Sequence, residues 1–294
     1  MDLIEAEEKA YRVIANEIDQ YISLVGYYPF TVEQVDKQFN IQSRMGKNHR
    51  WHVLENLVKA GTLEKLGTGK YRVVNYEQTE INWWDLPDDA NIDIMYPLGL
   101  EKYVKTYRSS IIIIAGSPGA GKTAFIYDFI LKNMYNPLGI TLFTNDMSPQ
   151  EMWERFINSD CEIPVPPPFK SWDRADKFGD VIVPGGINII DYLDLNSEVY
   201  LIGEEIEQIY RKLNGGIALI GIQKKPGQDL GYGGVFSQKR AKLYFSIDTI
   251  REENIIYHSL KIPKARGRTD PKVNPSTIEI KFKLVNGIKF IKYY

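Results

Sequence analysis

The sequence predicts an α/β protein: a mostly parallel sheet with flanking helices, preceded by a small domain of helices and a hairpin. Three observations lead there. The β-branched run Ile111-Ile112-Ile113-Ile114 leads into Gly116-Ser117-Pro118-Gly119-Ala120-Gly121-Lys122-Thr123 and then into the apolar-striped helical stretch Ala124–Leu131. From there to Gln223, apolar β runs alternate with helical patterns, the signature of a parallel sheet. The first seventy-five residues instead carry helical periodicity followed by two short β runs.

Four β-branched residues in a row read as a strand buried on both faces. Gly116 to Thr123 fits G-x-x-x-x-G-K-[ST], a loop whose glycines let backbone N–H groups curl around phosphates at a helix N-terminus. In that loop Lys122 reaches the β- and γ-phosphates, and the Thr123 hydroxyl ligates Mg²⁺. The sequence has no N-K-x-D guanine-reading motif and no L-S-G-G-Q signature, so ATP with Mg²⁺ is the expected ligand.

Composition excludes several classes. The chain of 294 residues is 44% hydrophobic and 25% charged, ordinary for a folded chain of one large and one small domain. With 36 basic and 38 acidic residues the formal charge is −2, so any nucleic-acid surface must be local. Cys161 is the single cysteine, and His49, His52 and His258 are scattered, which leaves no disulfide framework and no metal-ligand cluster. No apolar run is long enough to span a bilayer and the first residues are acidic, so a cytoplasmic protein without a membrane partner is expected.

In the first domain (1–75), Tyr11, Ile14, Ala15, Ile18, Tyr21 and Ile22 recur at helical spacing. Thr31 with Gln34 three residues on predicts a capping box for a second helix through Val35. Gln42-Ser43 opens a third, with Trp51, Leu54, Leu57 and Val58 as its expected apolar face and Gly61 as its stop. Thr62–Leu66 and Tyr71–Val74 around a Gly67-Thr68-Gly69-Lys70 tip read as a hairpin. This order of elements resembles a winged helix-turn-helix. The resemblance implies duplex DNA contact through Arg44, Lys47, Asn48 and Arg50 on the third helix and Lys70 at the tip, or else docking onto a protein. A linker (76–96) follows, with turn formers, the acids Asp85, Asp88, Asp89 and Asp93, and an adjacent pair, Trp83-Trp84, expected to pack on its own ATPase domain or on a neighbouring subunit.

In the remaining stretch (97–294), Pro97–Val104 is expected to be a short helix, Ile140–Thr144 the second strand, Gly186–Asp191 the third and Gly216–Ile222 the fourth, with a helix over Val199–Leu213 between the last two. Ser148 is placed to cap a helix through Pro149, Gln150 and Glu151, and Asn286-Gly287 marks a closing hairpin. Polar residues stand at the strand ends. Asp191 fits a Walker B carboxylate holding Mg²⁺, Asp146 is placed to orient or deprotonate water, and Gln223 to sense the γ-phosphate.

These motifs resemble those of the RecA superfamily, and within it the DnaB-like replicative helicases. Phe143-Thr144-Asn145-Asp146-Met147-Ser148 is similar to their F-S-L-E-M-S, Asp191-Tyr192-Leu193 to their D-Y-L, and Gln223 to the glutamine after their fourth strand. Lys264-Ala265-Arg266-Gly267 is similar to their K-x-R-N-G, which implies that Lys264 and Arg266 reach the nucleotide of an adjacent subunit. The resemblance spans about residues 97 to 290 and implies a RecA-like sheet, ATP hydrolysis and a homo-oligomer, ring or filament. Asp146 stands where the family has glutamate, one methylene further from its target. The glycine-rich, basic stretch from Gln223 (Lys224, Lys225, then Lys239 and Arg240) is where the family holds single-stranded DNA in a channel, and otherwise reads as a mobile surface loop.

Three functions fit these expectations. One is an oligomeric ATP-driven motor on single-stranded DNA in replication or recombination. The second is a filament that coats DNA. The third is a regulatory ATP switch whose small domain binds an operator or a protein.

Overall fold

Contacts divide the chain at Trp84/Asp85, inside the expected linker, into units Met1–Trp84 and Asp85–Tyr294. The computed structural model describes residues 3–78, 80, 82–85, 92–193, 201–252 and 255–293. Asp88, Asp89 and the expected helix start at Val199 lie outside the described residues.

The smaller unit holds α1 (Leu3–Val25), β1 (Phe30–Thr31), α2 (Val32–Gln38), α3 (Arg44–Lys59), β2 (Leu63–Gly67) and β3 (Lys70–Val73). The three strands form an antiparallel sheet in the order β1-β3-β2. The capping box at α2 is present, with Gln34 Oε1 accepting from Thr31 N at 2.7 Å. Ser43 Oγ caps α3 by accepting from Gly46 N. Ile14, Ile18, Phe30, Val35, Val53, Leu54, Leu63 and Tyr71 make the core.

The buried face of α3 is rotated from the one its apolar residues suggest. Gly46, His49, Val53 and Leu54 are buried, whereas Trp51 is 49% exposed. Gly46, His49 and Val53 recur at i, i+3 and i+7 on one face, where a Cβ on Gly46 would lie 3.0 Å from Ile41 Cγ2 and from Ser43 Oγ; Trp51 lies on the other side of the helix. β1 is an element that sequence periodicity does not announce, since two residues carry no period.

The larger unit is built around β4 (Ser110–Gly116), every residue of which is buried. It continues through α4 (Lys122–Asn133), β5 (Ile140–Thr144), α5 (Pro149–Ile157), β6 (Phe169–Asp173), β7 (Ile187–Asp191), α6 (Ile202–Lys212), β8 (Ile217–Gln223), α7 (Val235–Gln238), β9 (Ala241–Glu252), β10 (Ile255–Ala265), β11 (Glu279–Val285) and β12 (Lys289–Lys292). Nine strands form one sheet in the order β12-β11-β10-β9-β4-β8-β7-β5-β6. From β9 to β6 the neighbours are parallel, and from β9 to β12 antiparallel.

The four isoleucines explain the sandwich. Ile112 and Ile114 pack with Phe125, Phe129 and Phe245 on one face, while Ile111 and Ile113 pack with Ile202, Ile206 and Ile209 on the other. Side chains alternate across a strand, so a run of β-branched residues satisfies two apolar layers at once. Each buried side chain contributes roughly 1.5–3 kcal/mol. The end of the expected linker belongs to this core, because Ile92, Ile94 and Tyr96 are buried and Met95 N donates to Asn133 Oδ1 at 3.0 Å.

Gly216 enters β8 where no side chain fits. A Cβ there would meet Gly186 N at 2.8 Å and Gly185 C at 2.9 Å, both backbone atoms that cannot swing aside. Gly216→Ala is expected to destabilise the protein by about 3 kcal/mol, a severe overpacking cost. Thermal melting checks this, and an unchanged midpoint would refute the close approach.

Candidate nucleotide site and basic surfaces

Parallel register puts the polar strand ends at one edge. Gly116 pairs with Gln223, and Thr144 pairs with Asp191. Gly116 to Thr123 therefore turns directly beside Gln223, with Asp146 two residues beyond Thr144 and its N–H on Thr144 Oγ1 at 3.4 Å.

The loop needs its glycines. A Cβ on Gly116 would lie 2.7 Å from Lys122 Cγ, and Gly121 caps α4 in the left-handed region at φ 99°. Ser117 and Ala120 are buried while Pro118 and Gly119 are exposed, and Ala120 N donates to Ser117 O. Backbone and helix N-terminus thus open to the same side, an arrangement suited to a polyphosphate.

Lys122 is only 8% exposed. Burial pulls its ammonium below the usual lysine range, against the opposing charges of Asp191 and Asp146. Its Nζ lies 5.5 Å from the centre of the Tyr192 ring. Asp191 is 1% exposed, and burial pushes its carboxyl up to about 6 although Lys122 and a bond from Thr123 oppose that shift. Thr123 Oγ1 lies 3.4 Å from Asp191 Oδ1, and Asp191 Oδ2 is buried without a hydrogen-bond partner.

A hydroxyl beside a carboxylate with an orphaned buried oxygen fits a hard cation such as Mg²⁺. Thr123 and Asp191 would hold it, directly or through water. When bound, Mg²⁺ neutralises charge that develops on the phosphates during transfer. Lys122 is placed to hold phosphate oxygens, and exposed Asp146 to orient a water molecule at the mouth.

Arg155 and Tyr127, which the sequence motifs do not single out, lie within electrostatic reach of Asp191. Arg155 is half-buried on α5, its Nη1 donates to Gly287 O at 3.4 Å, and its charge acts on Asp191. Tyr127 stacks on Phe156 with ring centres 4.8 Å apart and donates to Met147 Sδ at 3.2 Å. The signal was spacing: Arg155 lies seven residues after the Ser148 cap and Tyr127 four after Thr123, each on the same helix face as its reference.

Lys264 and Arg266 are not brought to this site. β10 runs antiparallel to β9, and Arg266 N donates to Lys242 O, while the phosphate loop leaves β4 opposite Ile247. Five residues of strand separate the two, roughly 16 Å. Arg266 is exposed there, and Lys264 Nζ donates to Gln238 O at 2.6 Å. Burial first, then the Arg266 charge, holds both Lys264 and Lys242 below the usual lysine range. Three cations crowd one end of the sheet.

Of the residues expected on DNA surfaces, Lys224 is buried and Arg50 largely buried in ion pairs within the protein, and exposed Arg240 is paired on the surface. The Lys224 side chain is fully buried, its Nζ 2.5 Å from Asp248 Oδ2 and donating to Gln228 O at 2.5 Å. Arg240 forms two bonds to Glu207 and lies over the Tyr210 ring. Arg50, largely buried, pairs with Asp36 of α2. In each case an acid reached through the fold pairs with a cation that local sequence leaves unmatched. Lys225 and Lys239 are exposed, as are Arg44, Lys47, Asn48 and Lys70 of the smaller unit. Arg44, Lys47 and Asn48 line a shallow depression with Met45 and Trp51.

The comparisons with known proteins extend this description. A model of the DnaB-like helicase C terminal domain matches residues 99–167, the stretch with the phosphate loop, β5 and α5, and stops short of Asp191, Gln223, Lys264 and Arg266. No curated protein sequence matches the chain. Among solved structures 483 chains match, so the fold is widely shared and by itself names no reaction. A KaiC-like protein from the hyperthermophilic archaeon Pyrococcus horikoshii OT3 aligns with TM-score 0.53 and 16% identity over 69% of this chain and 99% of that one. Among the described residues no helix is long and apolar enough to cross a membrane.

Lys224→Met is expected to cost about 3–5 kcal/mol, since it leaves the Asp248 carboxylate without its buried partner. Lys225→Ala on the exposed side is expected to stay within about 0.5 kcal/mol of wild type. Urea unfolding of both variants checks the contrast, and equal stability would return Lys224 to the surface. The larger unit has a RecA-like α/β fold, with a phosphate-loop segment like that of the DnaB-like helicase C-terminal domain.

Proposed function

We propose that the chain is an ATP-hydrolysing motor that works as a homo-oligomer on single-stranded DNA, with active sites shared between neighbouring subunits. One observation carries this reading. Lys122, Thr123, Asp146, Asp191 and Gln223 meet at one end of the sheet, whereas Arg266 is exposed at the other, roughly 16 Å along it. An arginine there cannot serve its own phosphate loop. It can serve a neighbour's in a head-to-tail assembly, which closes as a ring or extends as a filament.

In the proposed cycle Lys122 and the loop amides hold the triphosphate, and Thr123 and Asp191 hold Mg²⁺. Asp146 orients water for in-line attack. Lys264 and Arg266 of the adjoining copy stabilise charge on the transferred phosphoryl group, and Gln223 reports its loss to the loop that follows. The smaller unit, with its order of helices and strands like a winged helix, is read as a second DNA contact through Arg44, Lys47, Asn48 and Lys70.

Lys122→Ala is expected to reduce steady-state ATP hydrolysis at least about 100-fold, and retained turnover would remove the site assignment. The shared site has its own test. Arg266→Ala and Asp146→Ala proteins, each inactive alone, are expected to regain hydrolysis when mixed, because a mixed interface joins an intact Asp146 to an intact Arg266. Failure to regain activity in an assembly shown to exchange subunits would confine the chemistry to a single chain.

A further inference from the structure

The loop after β8 carries an aromatic side chain that the nucleotide chemistry leaves unused. Tyr232 is 41% exposed. With Lys225, Val235 and the glycines 231, 233 and 234 it lines a depression of about 520 Å³, within the range of cavities that take one small ligand. The glycines beside it leave the ring faces uncovered by neighbouring side chains in sequence.

The backbone under this ring is pinned. Tyr232 N donates to the Gln223 carbonyl at 2.8 Å, and Gly231 N donates to Tyr244 Oη at 2.8 Å. A Cβ on Gly231 would lie 2.8 Å from Ile222 Cγ2, so the chain hugs β8 there. Asp248 adds a clamp, with Oδ2 on buried Lys224 and Oδ1 accepting from Gly227 N at 3.3 Å. The loop is therefore a fixed platform, one hydrogen bond from the residue placed at the γ-phosphate.

Charge around the platform favours a polyanion. Two charged residues line the depression, Lys225 and Asp229, and Lys261 lies 4.0 Å from Asp229, which leaves a local excess of positive charge. A flat ring on a rigid backbone, with cations beside it and glycines around it, suits an unpaired base and its phosphate better than an apolar protein surface.

We infer that Tyr232 is a stacking platform for a base of single-stranded nucleic acid, with Lys225 on the adjoining phosphate. The inference rests on the single-strand reading of this loop and assigns how the strand is held. Because every base has a π-face, the site is tolerant of sequence.

The test is fluorescence anisotropy of the full-length protein with Mg²⁺ and a non-hydrolysable ATP analogue. The probes are a labelled short oligo(dT) and an abasic strand of equal length, which keeps the phosphates and lacks the bases. Wild type is expected to bind oligo(dT) about tenfold more tightly than the abasic strand. Tyr232→Ala and Tyr232→Leu remove that preference, whereas Tyr232→Phe and Tyr232→Trp retain it. Lys225→Ala weakens both strands alike. Equal binding of the two strands by wild type, or full preference in Tyr232→Leu, would overturn stacking while strand binding itself stands. Binding of neither strand at low salt would overturn the single-strand reading and the platform together.

Discussion

A carboxylate held almost dry is the constraint around which this protein is arranged. Asp191 ends β7 with one oxygen 3.4 Å from Thr123 Oγ1 and the other without a hydrogen-bond partner, and Lys122 nearby is itself desolvated. Burying such groups is costly when they are left unmatched. A divalent cation and a polyphosphate would supply the missing partners, and in the proposed complex the unfavourable burial of the free chain would become binding free energy. The sheet, packed on both faces, keeps the two groups from relaxing toward water.

Sheet polarity then distributes the remaining functional groups. Parallel strands collect Gly116, Asp146, Asp191 and Gln223 at one end. The switch to antiparallel pairing at β10 carries Lys264 and Arg266 to the other end. A chain built this way holds the phosphate-binding part of a site at one edge and, in the proposed assembly, the complementary cations at the other. Burial, and behind it the Arg266 charge, holds the ammonium groups of Lys242 and Lys264 at that end below the usual lysine range.

The segment after Gln223 shows how position within a fold redefines a residue type. Two adjacent lysines have opposite fates: Lys224 turns inward to Asp248 and anchors the loop, while Lys225 faces solvent. Anchoring ties the loop to β8, since Tyr232 donates its backbone N–H to the Gln223 carbonyl at 2.8 Å, and ordering at that point lowers the conformational freedom of a glycine-rich segment.

Sequence by itself determined the elements whose signals are local. Four isoleucines before G-x-x-x-x-G-K-T specify a strand buried on both faces, and Thr31 with Gln34 a capping box. Ser148 before Pro149 specifies a helix start, and Asn286-Gly287 a hairpin with both residues at positive φ. That Gly116, Thr144, Asp191 and Gln223 lie at neighbouring strand ends was legible for the same reason, because a parallel sheet places such ends together whatever its details. Tertiary structure alone decided the rest. β6 is an edge strand with too few apolar residues to announce itself, and β9 joins β4 in parallel although its sequence reads only as β. The inward face of α3 depends on its packing against α1, as where Tyr11 meets His49, and the Arg155 charge acts on Asp191 only when α5 packs beside it. Whether Lys224, Arg240 and Arg50 meet DNA or an internal acid depends on Asp248, Glu207 and Asp36, which are separated from them in sequence by 24, 33 and 14 residues. Charge is a property of a residue, but exposure and partnership are properties of the fold, because Coulomb attraction acts through space and is indifferent to distance along the chain.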